Sequence, residues 1–340
     1  MAYFVIGGTG FIGPYVVKEL LDHGEQVIVG DWLPDPTGLE HLGLDKVKVV
    51  RVDILDYASL LSVLKENHVT HIANLANARE LSKMEPKEQR AARGGGWTGI
   101  RVNIDGTRNV FEAARILEIE RVVFVSSTGV YGDLPPLGRP LNEDDPTAPV
   151  LTGYAAKRIG EMICQEYNEL YDLDCLTVRF GGQVYGPRLF RERSGQKALY
   201  PDRLFDAIVD LFENGALGRS CRVTEPDYIK SWLYVKDAGR AVYSGFTAKN
   251  PQHRLYNAAG FVHTNREVAE MVKRNVKDCK IDYVQSSVPR WDKRIQPGWK
   301  HAYDLSRIRA ELGWEPVWDI DRSVVEWVNY QRKLSGLAPA

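Results

Sequence analysis

The chain has 340 residues, with 45 acidic and 44 basic side chains and a charged fraction of 26%. That balance excludes the strongly basic surface of a nucleic-acid binder. No apolar run approaches membrane-spanning length, and the first strand begins directly after Met1, so a cytoplasmic protein with no secretion signal and no membrane partner is expected.

Ala2-Tyr3-Phe4-Val5-Ile6 is a short apolar run that reads as a buried strand. Gly7, Gly10 and Gly13 follow it, and residues 14–23 then carry Val16, Val17, Leu20 and Leu21 at helical spacing. Val27-Ile28-Val29 is a second strand, closed by Asp31. A strand, a glycine turn, a helix, a strand and an acid in this order point to a bound dinucleotide. Gly7 permits the tight turn, Gly10 lets backbone approach a pyrophosphate, and Gly13 lets the helix lie close on the sheet. The helix N-terminus offers N–H groups and a partial positive charge. Thr9, Phe11, Ile12 and Trp32 belong to the same expected contact surface. Asp31 suits ribose hydroxyls and repels a 2′-phosphate, so NAD rather than NADP is the expected cofactor.

Residues 32–45 read as a loop, and residues 47–52 as a third strand ending at Asp53-Ile54. An adenine ring fits beside Ile54 with Asp53 as acceptor, and Asp53 also suits a cap for the helix starting near Tyr57. Residues 71–75 form a fourth strand that ends at Leu75 and exits through Ala76 and Asn77, small enough to let backbone run beside the cofactor. Residues 79–99 break the pattern and read as a loop at the carboxyl end of the sheet, with Trp97 as a lid residue or merely a surface one. Residues 102–117 are a long helix, and Arg121 to Ser126 a strand buried on both faces. A helix from Thr152 to Tyr171 carries Tyr154, Lys157 and Glu161; residues 176–180 are a sixth strand and residues 181–187 a turn. Strand–helix alternation then stops. A helix over 204–214, short strands at 221–223, 230–235 and 255–257, a helix over 237–247 capped by Asp237, and a helix over 265–273 follow. Alternation in the first half predicts an α/β, Rossmann-type doubly wound parallel sheet over residues 1–180, with 230–260 threaded back onto it. Residues 181–340 are expected to form mainly a smaller mixed α/β lobe that binds substrate. Cys164, Cys175, Cys221 and Cys279 lack metal-ligand spacing and read as reduced structural thiols, so no metal is expected.

Motifs along almost the whole length resemble the extended short-chain dehydrogenases/reductases of the NAD-dependent epimerase/dehydratase kind. They are Gly7 to Gly13, Asp31, Asp53-Ile54, Asn103 to Val110, Ser126-Ser127-Thr128-Gly129-Val130-Tyr131-Gly132, Lys157 with Glu161, Val184 to Arg188, Trp232 to Asp237, and Leu312 to Pro316. The resemblance implies that Asn103 and Ser126 also line the cofactor and that Lys157 holds the nicotinamide ribose. It implies a Tyr, four residues before the Lys, that moves the proton of a secondary alcohol, with the Lys lowering the phenol pKa. Ser127 matches the hydroxyl that holds the substrate oxygen, with Thr128 beside it. Oxidation to a ketone then acidifies neighbouring C–H bonds, and epimerisation, elimination or decarboxylation can follow before hydride returns. A homodimer pairing the helices at 102–117 and 152–171 is also implied.

Two positions depart from that pattern. Tyr154 stands three residues before Lys157, and Gly153 stands four before it. Either the first turn of the helix is distorted and Tyr154 swings into place, or Tyr154 packs elsewhere. Gln183 stands where sugar-nucleotide members carry an Asn, in a segment one residue longer. Basic residues for an anionic substrate are Arg188, Arg191, Arg193 and Lys197, and Arg290 and Arg294 around Trp291. The same residues also suit a solvated surface. His263 and His301 read as surface or core histidines, and Tyr131 and Tyr185 as packing residues. Three functions remain open: an epimerase/dehydratase-type enzyme acting on a sugar or sugar nucleotide, a dehydrogenase/reductase of a smaller hydroxy compound, and a catalytically altered NAD-binding protein.

Overall fold

The computed structural model describes residues 1–77, 98–132, 134, 137–187, 210–284 and 302–340. Trp97, Arg188, Arg191, Arg193, Lys197, Arg290, Trp291, Arg294 and His301 lie outside them.

Seven parallel strands make the central sheet: β1 Ala2–Ile6, β2 Gln26–Asp31, β3 Lys48–Arg51, β4 His71–Asn74, β5 Arg121–Ser127, β6 Cys175–Phe180 and β10 Leu255–Ala258. Their spatial order is β10-β6-β5-β4-β1-β2-β3. The direction of winding reverses between β1 and β4, and this switch point is where open α/β sheets bind ligands.

Alternate residues of each strand feed two cores, as a strand period of two requires. On one face Tyr3, Val5, Val27, Val29, Val123 and Val125 pack against helix α1 Gly13–Asp22 and helix α6 Val235–Thr247. On the other Phe4, Ile6, Ile28, Ile72 and Phe124 pack against α3 Tyr57–Glu66, α4 Thr107–Ile116 and α5 Thr152–Tyr171. Each fully buried Leu, Val or Phe contributes roughly 1.5–3 kcal/mol of burial free energy. No helix among the described residues is long and apolar enough to cross a membrane.

Beyond β6, two small sheets form. One has β9 Ile229–Tyr234 between β7 Gln183–Tyr185 and β11 Phe261–Thr264; the other pairs β8 Cys221–Thr224 with β12 Ile281–Val284. They enclose a third core with α7 Asn265–Asn275 and α9 Ile320–Leu334, while α8 Ser306–Leu312 joins the first core. α6 and β10 return to the large sheet, β10 pairing with β6.

Several local expectations are corrected. The loop after Asp31 contains a short helix, α2 Thr37–His41. The cap of α3 is Asp56, whose carboxylate accepts from the Ser59 N–H at 3.0 Å; Asp53 accepts instead from Leu55 N–H at 2.9 Å. The helix over 102–117 is interrupted: a turn at Thr98–Arg101 runs into a π-type segment, Val102–Gly106, before α4 begins. Residues 183–185 are a strand rather than part of a turn.

Asp237 is no N-cap. It lies fully buried in the first turn of α6 and accepts from the Val317 and Trp318 N–H groups at 3.1 and 2.9 Å and from Arg240 at 2.8 Å. These bonds tie α6 to the chain after α8. All four cysteines are free thiols, and Cys221 and Cys279 sit with sulfurs 3.9 Å apart in the third core.

Candidate active site

The glycine turn sits at the carboxyl end of β1, against the exit of β4. Gly7 has φ +75°, a left-handed conformation that glycine adopts without strain. A Cβ on Gly7 would lie 3.3 Å from the Leu75 carbonyl carbon and 3.4 Å from the Ala76 nitrogen. A Cβ on Gly13 would lie 2.4 Å from the Gly8 oxygen, so glycine there lets the helix close onto the turn. Pro14 occupies the first turn of α1, and no side chain caps that end. Pro14 has no N–H and Tyr15 and Val16 donate to the Ile12 carbonyl at 3.1 and 3.2 Å, so what this end offers an anion is the backbone before Pro14 and the partial positive charge of the helix.

Asp31 at the end of β2 accepts from the Thr9 hydroxyl at 2.7 Å and the Thr9 N–H at 3.3 Å, and from Leu33 N–H at 3.3 Å. Thr9 thus positions the acid instead of turning toward a phosphate. Trp32 beside it is exposed, and Phe11 and Ile12 are half-buried. Ile54 is buried beneath Gly106 of the π-type segment, where a Cβ would meet its Cδ1 at 2.6 Å, and Asn109 donates to the Ile54 carbonyl at 2.9 Å. Asn103 lies buried in the same segment, which packs against α5.

The carboxyl ends of β4 and β5 carry the next layer. Lys157, buried on α5, donates to the Ala76 carbonyl at 3.1 Å and the Val125 carbonyl at 2.9 Å, with its ammonium 4.9 Å from the centre of the Phe124 ring. Burial pushes its pKa down to about 8, against a smaller upward pull from Glu161. Glu161 is not its ion-pair partner: that carboxylate takes two bonds from Arg179, each 2.8 Å, and one from the Ser126 hydroxyl at 2.6 Å. Ser126 therefore offers only backbone toward the crevice. Leu75 and Ala76 are half-buried and Asn77 is exposed.

Ser127 caps the turn at 128–131, its hydroxyl accepting from the Gly129 N–H at 3.1 Å. The Thr128 hydroxyl accepts from Gly182 N–H at 3.1 Å, joining this turn to the strand exit after β6. Gln183 donates to the Val184 carbonyl at 2.9 Å, and its buried carbonyl oxygen has no hydrogen-bond partner among the described residues.

α5 is regular from Thr152 onward, so no distorted first turn carries Tyr154. A residue three places before another on a helix still lies only about 60° from it in projection. The Tyr154 ring reaches the serine turn by lying directly on Gly129. Tyr228 and Tyr303 gather beside it: burial raises both phenols, and the Tyr154 phenol raises each further. Tyr131 is buried against Tyr303 and donates to Asn257, while Tyr185 is buried in contact with Ser323.

Three residues escaped the sequence reading. The Asn74 side-chain nitrogen, fully buried at the end of β4, has no partner among the described residues. Tyr303 packs against Gly181 and stacks on Tyr131, ring centres 6.1 Å apart. Lys230, the second residue of β9, is fully buried, its nitrogen without a hydrogen bond among the described residues and 4.4 Å from the Trp232 ring centre. Burial alone pushes its pKa down to about 7. A lysine at the start of a short strand reads as a solvated edge, so no local signal marked it.

The glycine cradle, the uncapped α1 terminus, the orphaned Asn74 nitrogen and Lys157 fit a dinucleotide laid across the switch point. The sequence matches the model of a family described as "NAD dependent epimerase/dehydratase family" over residues 3–259. It is similar to UDP-glucose 4-epimerase of Mycolicibacterium smegmatis, 29% identical over 98% of this chain and 100% of that protein. It is also similar to dTDP-glucose 4,6-dehydratase of Neisseria gonorrhoeae, 27% identical over 95% of this chain and 94% of that protein. Among solved structures it resembles the Thermus thermophilus UDP-glucose 4-epimerase in complex with NAD, with TM-score 0.74, 25% identity and coverage of 98% and 99%.

Proposed function

The chain belongs to the NAD dependent epimerase/dehydratase family, an NAD-dependent enzyme by that membership, and on that premise we propose that it acts on a secondary alcohol of a sugar or sugar nucleotide. The observation that carries this reading is one arrangement: Tyr154 lies on Gly129 of the turn that Ser127 caps, and Lys157 reaches the Ala76 and Val125 carbonyls at the carboxyl ends of β4 and β5. When bound, NAD supplies an acceptor and donor of hydride. The glycine turn and α1 hold its diphosphate, Asp31 its adenosine ribose, and Lys157 its other ribose. Ser127 holds the substrate oxygen. Tyr154 takes the alcohol proton, and the Lys157 ammonium makes the phenolate less costly. The relatives named above act, by their names, on UDP-glucose and dTDP-glucose. Lys230 supports an anionic substrate, because a buried amine with no counter-charge among the described residues gains most from a ligand that brings one.

Gln183, with its longer arm and unpartnered oxygen, favours a second reading, a dehydrogenase of a smaller hydroxy compound. One assay separates the two. The protein is incubated with NAD and, in turn, UDP-glucose and dTDP-glucose; sugar products are followed by NMR and NADH by absorbance. Epimerised or dehydrated sugar with no stoichiometric NADH is the expected result. NADH accumulating in step with oxidised product contradicts it.

A further inference from the structure

We propose that Gly129 is a positioning residue for Tyr154: its missing side chain seats the phenol ring on the serine turn, beside the hydroxyl of Ser127. The inference rests on the reading of Tyr154 as the proton-transfer group and adds what places it there.

A glycine is needed either for backbone freedom or for space. Gly132, three residues on, needs both, with φ +64° and a Cβ that would strike the Ala148 oxygen. Gly129 has no positive φ, so its backbone accepts any residue. What fills its space is Tyr154: a Cβ would come within 2.4 Å of Cδ1 and Cε1 and 2.6 Å of Cζ. Those distances lie far inside van der Waals contact, so the ring fills the place that a Gly129 side chain would take. No backbone atom stands among these nearest neighbours. The space left by the absent side chain is thus occupied by one aromatic ring and nothing else that close.

The same residue holds the other reacting group. The Gly129 N–H donates to the Ser127 hydroxyl at 3.1 Å. One residue therefore fixes both the serine oxygen, through its amide, and the phenol, through its bare α-carbon. Gly153 makes the contrast. It stands four residues before Lys157, and a Cβ there meets nothing within 4 Å among the described residues. The helix presents open space at that position and a ring seated against glycine at the next. α5 is regular from Thr152, so ring placement depends on the surface that receives it rather than on a bent helix.

The test is a stability cycle joined to kinetics. Gly129→Ala is expected to lower the melting temperature in the native background and to leave it unchanged in Tyr154→Ala, where the ring is gone. Equal effects in both backgrounds overturn the proposal. With whichever of UDP-glucose and dTDP-glucose is turned over, Gly129→Ala is expected to lower kcat about hundredfold, the order of loss for a reacting group displaced by about 1 Å. KM and the NADH dissociation constant, read by fluorescence, stay within about twofold, which a general unfolding of the site does not allow. Full kcat in Gly129→Ala while Tyr154→Phe is inactive overturns the role of Gly129. Full kcat in Tyr154→Phe instead overturns the reading of Tyr154, while the stability cycle still reports on the packing.

Discussion

Lys157→Met lowers turnover by a factor of about 10²–10⁴, the usual contribution of positioned acid–base chemistry. Methionine keeps an apolar stem of similar length and removes the ammonium, which lies 4.9 Å from the Phe124 ring centre and reaches the Ala76 and Val125 carbonyls. The fold should persist, because Glu161 is already satisfied by Arg179 and Ser126 and loses no ion-pair partner. The pH dependence has a definite sign. Burial lowers the Lys157 pKa to about 8 from an ordinary 10.5. Between those values the unfolded chain holds a proton that the folded chain has shed, so stability rises with pH across that window. Activity moves the opposite way. The ammonium is lost as pH rises through about 8, and kcat/KM should fall there in the native enzyme. The residual rate of Lys157→Met should lack that alkaline limb. A variant with native rate and native pH profile removes Lys157 from the mechanism.

The second large effect is on stability. Arg179→Met should destabilise the protein by about 3–5 kcal/mol, the cost of leaving one partner of a buried ion pair uncompensated. Arg179 and Glu161 are both almost wholly buried, on β6 and α5, and the guanidinium also donates to the Tyr131 hydroxyl at 2.9 Å. Burial opposes the Arg179 charge, but the bonds to Glu161 outweigh it and raise its pKa further. Chemical denaturation of Arg179→Met, Glu161→Gln and the double variant separates the two causes. The double variant should recover most of the loss, since no lone charge remains inside. If it is no better than Arg179→Met, the damage comes from lost packing and not from a stranded carboxylate.

What the sequence revealed follows the range of the interactions involved. The run from β1 through the glycine turn to Asp31 is local: periodicity, glycine spacing and one acid fall within about thirty residues, and the structure places them as read. Asp237 shows the opposite. It stands where a cap belongs, yet its partners are the Val317 and Trp318 amides, 80 and 81 residues away. β7 has only three residues, too few for any alternation to show. Lys230 and Asn74 are silent in sequence because burial of a side-chain nitrogen with no partner among the described residues is a property of packing. The Tyr154 departure was visible as spacing, but not its consequence, because the surface that receives the ring comes from Gly129, on the turn after β5.

Calorimetric titration of NAD into the native chain and into Gly10→Val tests the central claim most directly. Gly10 is exposed and has no positive φ, and among the described residues a Cβ there meets only the Gly7 oxygen, at 3.2 Å, so valine asks the turn to give by a few tenths of an ångström and fills the space above it. The account predicts that the native chain binds NAD, that it binds NADP more weakly because Asp31 repels a 2′-phosphate, and that Gly10→Val binds neither. Native affinity for NAD in Gly10→Val, or no heat of binding in the native chain, contradicts a dinucleotide seated on that turn.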